Sequence, residues 1–118
     1  MKICVTSTGD NLDSAVDPRF GRCAYFVIVD PETLGFKAIA NPNISATGGA
    51  GIQSAQLAAK EGAEAVITGN VGPNAVQTLS SLGIKIFTGA SGTVNEAVQK
   101  YKAGEYKETN SPTVPPGH

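Results

Sequence analysis

The first forty residues contain three short apolar stretches of the kind that form β-strands. They cover residues 3–8, 25–29 and 36–40. The first two are rich in β-branched residues and nearly continuously apolar, as buried strands are, whereas the third alternates at its start, which favours a sheet edge. No helical period fits between these stretches, so we predict that the three strands form an antiparallel meander.

From residue 41 onward the pattern changes to helices alternating with strands. Two further strands are predicted at residues 65–68 and 84–88, and Gly-rich turns at residues 48–51, 69–74 and 89–93 each open a helix. The first helix is predicted to end near Glu61, and Gly83 and Gly104 are stop signals for the other two. The predicted inward positions are Ile52, Ala55 and Ala59 in the first helix, Val76, Leu79 and Leu82 in the second, and Val94, Ala97, Val98 and Tyr101 in the third.

This order of elements, βββαβαβα, predicts an α/β fold. Strand–helix–strand connections are right-handed and make parallel neighbours, so the simplest solution is one mixed five-stranded sheet with helices on both faces. The first strand lies at its centre, between the second and the fourth. We expect residues 1–104 to form a single domain and the polar, Pro-rich residues 105–118 to be a disordered tail.

In this topology four connecting segments leave the sheet at the same rim. They are residues 9–23, 41–51, 69–74 and 89–93. Three of them lead into helix N-termini, which present unpaired N–H groups and partial positive charge, and their glycines allow close approach to a ligand. Arg19 and Arg22 add positive charge, so the expected ligand is an anion. Each glycine-rich turn alone is also compatible with an ordinary tight turn, and no complete nucleotide-binding motif occurs.

The segment from residue 9 to residue 23 is too long and too charged for a plain connection. We interpret its three aspartates, Asp10, Asp13 and Asp17, as turn and cap residues of a solvated and flexible loop rather than as metal ligands. Cys23 follows Arg22 directly, and a thiol beside a cation at a rim is either a low-pKa ligand or a half-buried apolar residue. Cys4, inside the first strand, is expected to be a core residue.

Composition excludes several classes of function. The chain has 118 residues, a net charge of −1, 16% charged residues and no Trp, which argues against nucleic-acid binding. It has no apolar run long enough to span a membrane and no signal-peptide pattern at its start, so we expect a cytoplasmic protein. The single histidine, His118, is at the very end, so no Ser–His–Asp hydrolase and no closed zinc site can be assembled. We therefore expect a non-enzymatic protein.

Several segments in a fixed order resemble the dinitrogenase iron–molybdenum cofactor-binding family of the NifX/NafY type, in its small stand-alone form. They are Asp17-Pro18-Arg19-Phe20-Gly21-Arg22, followed by residues 25–29, then residues 48–52, 68–75 and 89–94. The resemblance implies a ribonuclease H-like three-layer α/β/α fold with sheet order 3-2-1-4-5 and an antiparallel second strand. It also implies a carrier of an anionic iron–sulfur or molybdenum-containing cluster, with a cluster donor or acceptor protein as partner.

Members of that family often carry a histidine after the third strand or near the first helix, whereas this chain has Ser45-Ala46-Thr47-Gly48-Gly49 there. Without that histidine, the resemblance implies that Cys23, with Cys4 as a second thiol, binds the cluster together with the two arginines and the backbone amides of the glycine-rich loops. The predicted site residues are Arg19, Phe20, Gly21, Arg22, Cys23, Gly49, Gly51, Asn70, Gly72, Gly89 and Ser91. The alternative is a binding module for a phosphorylated metabolite or other small anion, which uses the same helix starts but does not need Cys23.

Overall fold

The five strands and three helices follow one another in the predicted order. The structure is a computed structural model, and it describes residues 1–44 and 49–115. The strands are β1 (Lys2–Ser7), β2 (Tyr25–Val29), β3 (Phe36–Ala40), β4 (Ala63–Ile67) and β5 (Lys85–Phe87). The helices are α1 (Ala50–Lys60), α2 (Pro73–Ser81) and α3 (Val94–Lys102).

The sheet has the order β3-β2-β1-β4-β5, which confirms the predicted topology. Strand β2 is antiparallel to both of its neighbours, with Cys4 opposite Ile28 and Val27 opposite Ala38. Strand β4 runs parallel to β1, with Cys4 opposite Val66, and β5 runs parallel to β4. The outgoing ends of β1, β3, β4 and β5 therefore lie at the same end of the sheet, as the prediction of a common rim requires.

Two apolar clusters, one on each face of the sheet, make the molecule a three-layer structure. One face carries Cys4, Phe26 and Val66 under α1 and α2. The other carries Val5, Val27 and Ile67 under α3. This division explains why β1 is apolar at successive positions, because both of its faces are covered.

The predicted inward face is correct for α3 and partly wrong for the other two helices. Val94, Ala97 and Val98 are fully buried. In contrast, Ile52 of α1 is 38% exposed and Leu82, at the end of α2, is 46% exposed. Both helices lie close to the sheet and to each other through small side chains, so Ala55 and Ala58 take the buried positions of α1. Size, and not only hydrophobicity, selects the face that a tightly packed helix presents.

The C-terminal segment differs from the prediction of a disordered tail as far as it is described. The amide of Thr109 donates to the Ile86 carbonyl at 2.7 Å, and Glu108 forms a β-bridge with Phe87. The segment therefore adds a short antiparallel contact to β5. Residues 116–118, which include His118, lie outside the described residues.

Candidate ligand-binding rim

The four connecting segments contact one another at the carboxyl end of the parallel strands. The Asn70 amide donates to the Pro18 carbonyl at 2.8 Å, and the Gly89 amide donates to the Gly69 carbonyl at 2.9 Å. The side-chain amide of Asn41 donates to the carbonyls of Gly21 and Cys23, at 3.1 and 2.8 Å. The predicted common rim is therefore present in the structure.

The loop of residues 9–23 is held along its length and is not a flexible approach. Its first half lies against the start of α3, where the Val94 and Asn95 amides donate to the carbonyls of Ser14 and Leu12, both at 2.9 Å. The Val16 amide returns a hydrogen bond to the Gly92 carbonyl at 2.8 Å. These backbone hydrogen bonds keep the loop in place without a ligand, so this part of the prediction is wrong.

Asp17 is the buried anchor of the loop, whereas we predicted a solvated turn residue. Its Oδ1 accepts a hydrogen bond from the Arg19 amide at 3.0 Å, and its Oδ2 accepts one from the Ala24 amide at 3.3 Å. The Arg19 side chain adds an ion pair, with Nε 3.3 Å from Oδ1. The Asp17 side chain is only 4% exposed and that of Arg19 is 56% exposed. Arg19 Nη2 lies 3.5 Å from Oδ2, so Asp17 contacts the guanidinium of an arginine whose side chain remains partly exposed.

The crevice between β1 and β4, where open α/β sheets usually bind ligands, is filled by this loop. The buried Thr6 hydroxyl donates to the Asp17 carbonyl at 2.7 Å and lies 2.8 Å from the hydroxyl oxygen of Thr68. Pro18 covers Gly69 so closely that a Cβ there would lie 2.6 Å from the Pro18 Cα. A ligand at this rim therefore lies on top of the loop rather than between the strands.

The N-termini of α1 and α2 are adjacent, and glycines allow this. A Cβ on Gly51 would lie 3.3 Å from the Cβ of Ala75, so the first turns of the two helices touch. A Cβ on Gly21 would lie 3.0 Å from the Gly51 nitrogen and 3.2 Å from the carbonyl carbon of Ala50. Gly21 and Gly51 thus bring the loop backbone and two helix starts together, which is a packing reason for both glycines.

These two helix starts carry no side-chain cap. The N-cap residues are Gly49 and Gly72, and neither first turn contains an acidic residue. Gly49 has φ +74°, a left-handed conformation that other residues adopt only with strain. The first-turn N–H groups and the positive ends of two helix dipoles therefore meet at one place without a counter-charge from their own helices.

The start of α3 is different, because the chain itself satisfies it. Thr93 and Glu96 form a capping box, with the Glu96 amide donating to Thr93 Oγ1 at 3.1 Å and the Thr93 amide donating to Glu96 Oε1 at 2.9 Å. These hydrogen bonds lower the pKa of Glu96. The predicted contribution of this helix start to an anion site is therefore unsupported, since a carboxylate already lies there. The Thr-x-x-Glu spacing of Thr93 and Glu96 is the sequence pattern that predicts such a capping box.

Cys23 and Phe20 belong to the core rather than to the surface of the rim. Both are buried, and Phe20 packs edge-on against Phe26 with ring centroids 6.1 Å apart. Burial raises the pKa of the Cys23 thiol far above its ordinary value, with smaller contributions from Cys4 and Asp17, and burial raises the pKa of Cys4 to about 12. The alternative of an exposed low-pKa thiol is wrong, because Cys23 is buried in the core.

The other predicted site residues differ in how they meet solvent. Arg19 and Asn70 are exposed and form a parallel β-bridge, Gly72 and Arg22 are half-buried, and Gly89 and Ser91 are exposed beside the sealed start of α3. Asn41, which ties the loop to the end of β3, was not predicted, and its position before a proline gives little signal. The segment of residues 45–48, where the family histidine was expected and missing, lies outside the described residues.

Side-chain metal ligands are sparse. Within residues 1–44 and 49–115 no group of three or more His, Cys, Asp or Glu side chains is arranged to hold a metal ion.

Two open depressions, of about 500 and 250 Å³, lie at the opposite end of the sheet around Ile84 and Gly35. None of the described helices is long and apolar enough to cross a membrane.

Known structures share this architecture over almost the whole chain. The apo form of the orange protein from Desulfovibrio gigas is 42% identical, with a TM-score of 0.93 and 96% of each chain covered. A Thermotoga protein provisionally described as NifB is 34% identical, with a TM-score of 0.82 and coverage of 96% of this chain and 97% of that one.

Sequence comparison points to the same group. An uncharacterized protein of Methanocaldococcus jannaschii is 30% identical over 99 residues, which cover 81% of this chain and 84% of the relative. The profile of a family described as dinitrogenase iron-molybdenum cofactor matches residues 1–104. This match includes β1 through α3 and all four connecting segments of the rim. The chain belongs to the dinitrogenase iron–molybdenum cofactor family.

Proposed function

We propose that the rim holds an anionic iron–sulfur or molybdenum-containing cluster as cargo, and that the chain stores or delivers it without catalysing a reaction. The observation that carries this proposal is the meeting of two uncapped helix starts. Arg19 pairs with Asn70, in the turn that leads into α2. Family membership supports the class of cargo, and supports a binding role rather than catalysis.

The proposed binding is electrostatic and does not use thiolate ligands. Among the described residues, no three His, Cys, Asp or Glu side chains are arranged to hold a metal ion. Cys23 is buried and the pKa of its thiol is raised, so it offers no thiolate at the surface. Positive charge and N–H donors suit a cargo that is already complete and carries net negative charge. Arg19 is the central residue of this proposal, because the ion pair with buried Asp17 restricts its side chain, which stays partly exposed at the rim.

Anaerobic reconstitution tests the proposal. The chain is incubated with iron, sulfide and molybdate and desalted, and bound metal is then measured by elemental analysis and visible absorption. Stoichiometric metal is expected for the unsubstituted chain and a large loss for Arg19→Gln. Lys100→Gln removes an exposed cation from the last turn of α3 and is the matched control. Thermal unfolding of each variant checks that the fold is retained.

Cys23→Ala separates this binding mode from thiolate ligation. Full loading is expected, because the thiol lies in the core and only its small volume is lost. Loss of the metal from a folded Cys23→Ala variant would restore Cys23 as a ligand. Equal loading of Arg19→Gln and the unsubstituted chain would remove the electrostatic site.

A small phosphorylated metabolite is the second candidate, and the scarcity of side-chain metal ligands in the described residues favours it. The same helix starts would bind the phosphate. A thermal-shift screen against phosphate compounds separates the two, since a 100-fold excess over the dissociation constant adds about 2.7 kcal/mol to stability. No shift with any phosphate compound would exclude this candidate.

A donor or acceptor protein for the cluster stays a prediction.

A further inference from the structure

The C-terminal segment of residues 106–115, here called the strap, reaches from β5 to the proposed site. Its near half is anchored firmly. Tyr106 packs against the core cluster under α3, the Thr109 amide donates to the Ile86 carbonyl at 2.7 Å, and the hydroxyls of Thr88 and Thr109 are 2.7 Å apart. This half extends the sheet beyond β5.

The far half of the strap lies against the loop that opens α2. The Thr113 amide donates to the Val71 carbonyl at 2.8 Å, and the Val71 amide donates to Thr113 Oγ1 at 2.8 Å. The carbonyl oxygen of Pro115 is 3.7 Å from the point where a Cβ on Gly72 would lie. Oxygen atoms of the strap thus lie beside the N-cap of a helix start that lacks a side-chain cap.

We propose that residues 113–115 occupy the α2 half of the rim in the empty chain and move away when an anionic ligand binds. This inference rests on the proposed function, since it concerns access to the same site. The strap oxygens act as a weak internal substitute for the ligand. They compete with it for the Val71–Gly72 backbone, so the strap lowers the apparent affinity of the site.

Two features favour displacement over a permanent wall. Residues 108–115 contain Glu108 and no Lys or Arg, so this part of the strap offers an anion no positive charge. The described contacts of the far half with the loop pass mainly through Thr113, which is exposed to solvent. Hydrogen bonds that compete with water contribute little net free energy, so the far half separates easily while Thr109 holds the near half.

Titration with sodium molybdate, followed by NMR at backbone amides, tests the inference. The amide of Asn74 reports on the start of α2 and that of Gln53 on the start of α1. The full chain is compared with a chain ending at Ser111 and with Thr113→Val. The matched control is Thr33→Val, since the Thr33 hydroxyl also accepts from a backbone amide, that of Gly35 at 3.2 Å, at the other end of the sheet.

Molybdate affinity at Asn74 is expected to rise roughly two- to tenfold in the shortened chain and in Thr113→Val, the factor that hydrogen bonds of ordinary net strength supply. All values for Thr33→Val should stay unchanged. Equal or weaker binding at Asn74 in the shortened chain overturns the inference, as does no response there in either chain. A response at Gln53 alone would still leave the proposed function standing.

Discussion

The start of α3 and the joined starts of α1 and α2 lie at the same rim but are completed in opposite ways. At α3, Thr93, Glu96 and the carbonyls of residues 12 and 14 satisfy the first-turn amides. At α1 and α2, the N-cap residues are glycines and the first turns contain no acid. The first turn of α3 thus contains a carboxylate, whereas the first turns of α1 and α2 contain none.

This difference shows that a helix start is a binding site only where the chain leaves it open. The N-terminus of α3 has the same dipole and the same kind of Gly-rich approach as the other two. Its function is structural, because it fastens the first half of the long loop. The second half of that loop carries Arg19, which pairs with Asn70 in the turn before α2. The following changes test this division, beginning with the largest expected effect.

Gly21→Ala should separate the loop from the start of α1. The new Cβ would lie 3.0 Å from a backbone nitrogen, and backbone cannot move aside as a flexible side chain does. Overpacking of this kind lowers the free energy of unfolding by about 1–3 kcal/mol, measured by urea denaturation. In Gly35→Ala the nearest atom is the Thr33 hydroxyl at 3.3 Å, so this control should change stability by less than about 0.5 kcal/mol. Equal losses in both variants would contradict the close contact.

Gly72→Asp should give α2 the negative charge that α3 already has. An aspartate at this N-cap competes with an anionic cargo for the same amides, so cluster affinity should fall by at least about tenfold, or 1.4 kcal/mol. Gly72→Ser is the control, since it adds an N-cap without charge. Its cluster affinity should be close to that of the unsubstituted chain. Stability should change by only a few tenths of a kcal/mol in either variant. Equal loading of the two variants would show that charge at α2 does not matter.

Thr93→Ala should weaken the sealed start without touching the open ones. Loss of an N-cap hydroxyl costs about 1 kcal/mol of unfolding free energy, measured by urea denaturation, and cluster loading should remain unchanged. Thr78→Ala is the control, because its hydroxyl bonds to the Asn74 carbonyl within α2 and caps no N-terminus. A loss of loading in Thr93→Ala at full folding would place α3 within the site after all.

The smallest effect is the pH dependence that Glu96 contributes. Its pKa is lowered in the folded chain, so its stabilisation is present above the ordinary value of 4.5 and disappears as pH falls through the lowered pKa. Glu96→Gln should therefore be less stable than the unsubstituted chain at pH 6, with the difference shrinking toward pH 3. Melting temperatures across this range measure it. A constant difference at all pH values would show that the charge of Glu96 has no part in the cap.

The sheet order was predictable because the apolar patterns of β1 and β2 and the later alternation allow few topologies. Family membership also confirms the predicted non-enzymatic class. The inward face of α1 was harder, since Gly51 and Ala58 pack by their small size and not by hydrophobicity. The apolar period placed Ala55 in the core correctly, but it assigned Ile52 of α1 and Leu82 at the end of α2 there wrongly.

The rim was predictable as a place but not in its details. Directions of strands determine which loops meet, whereas the depth of a side chain depends on how a loop folds back. Nothing local distinguishes the buried Asp17 from the exposed Asp13, and a cysteine after an arginine gives no sign that it turns into the core. The hydrogen bonds of Thr113 to Val71 join residues 42 positions apart, so no sequence window contains them.

The strap also bears on self-association. Unpaired strand edges are templates on which other chains can pair, and natural sheets often cover them. Glu108 and Thr109 lie against β5 and cover that edge, whereas among residues 1–44 and 49–115 β3 pairs only with β2. A cut before residue 108 would expose a second edge and invite aggregation. The near half of the strap therefore protects the edge of the sheet permanently, whereas residues 113–115 lie over the proposed site and can move away. The chain ending at Ser111 lacks only this second part.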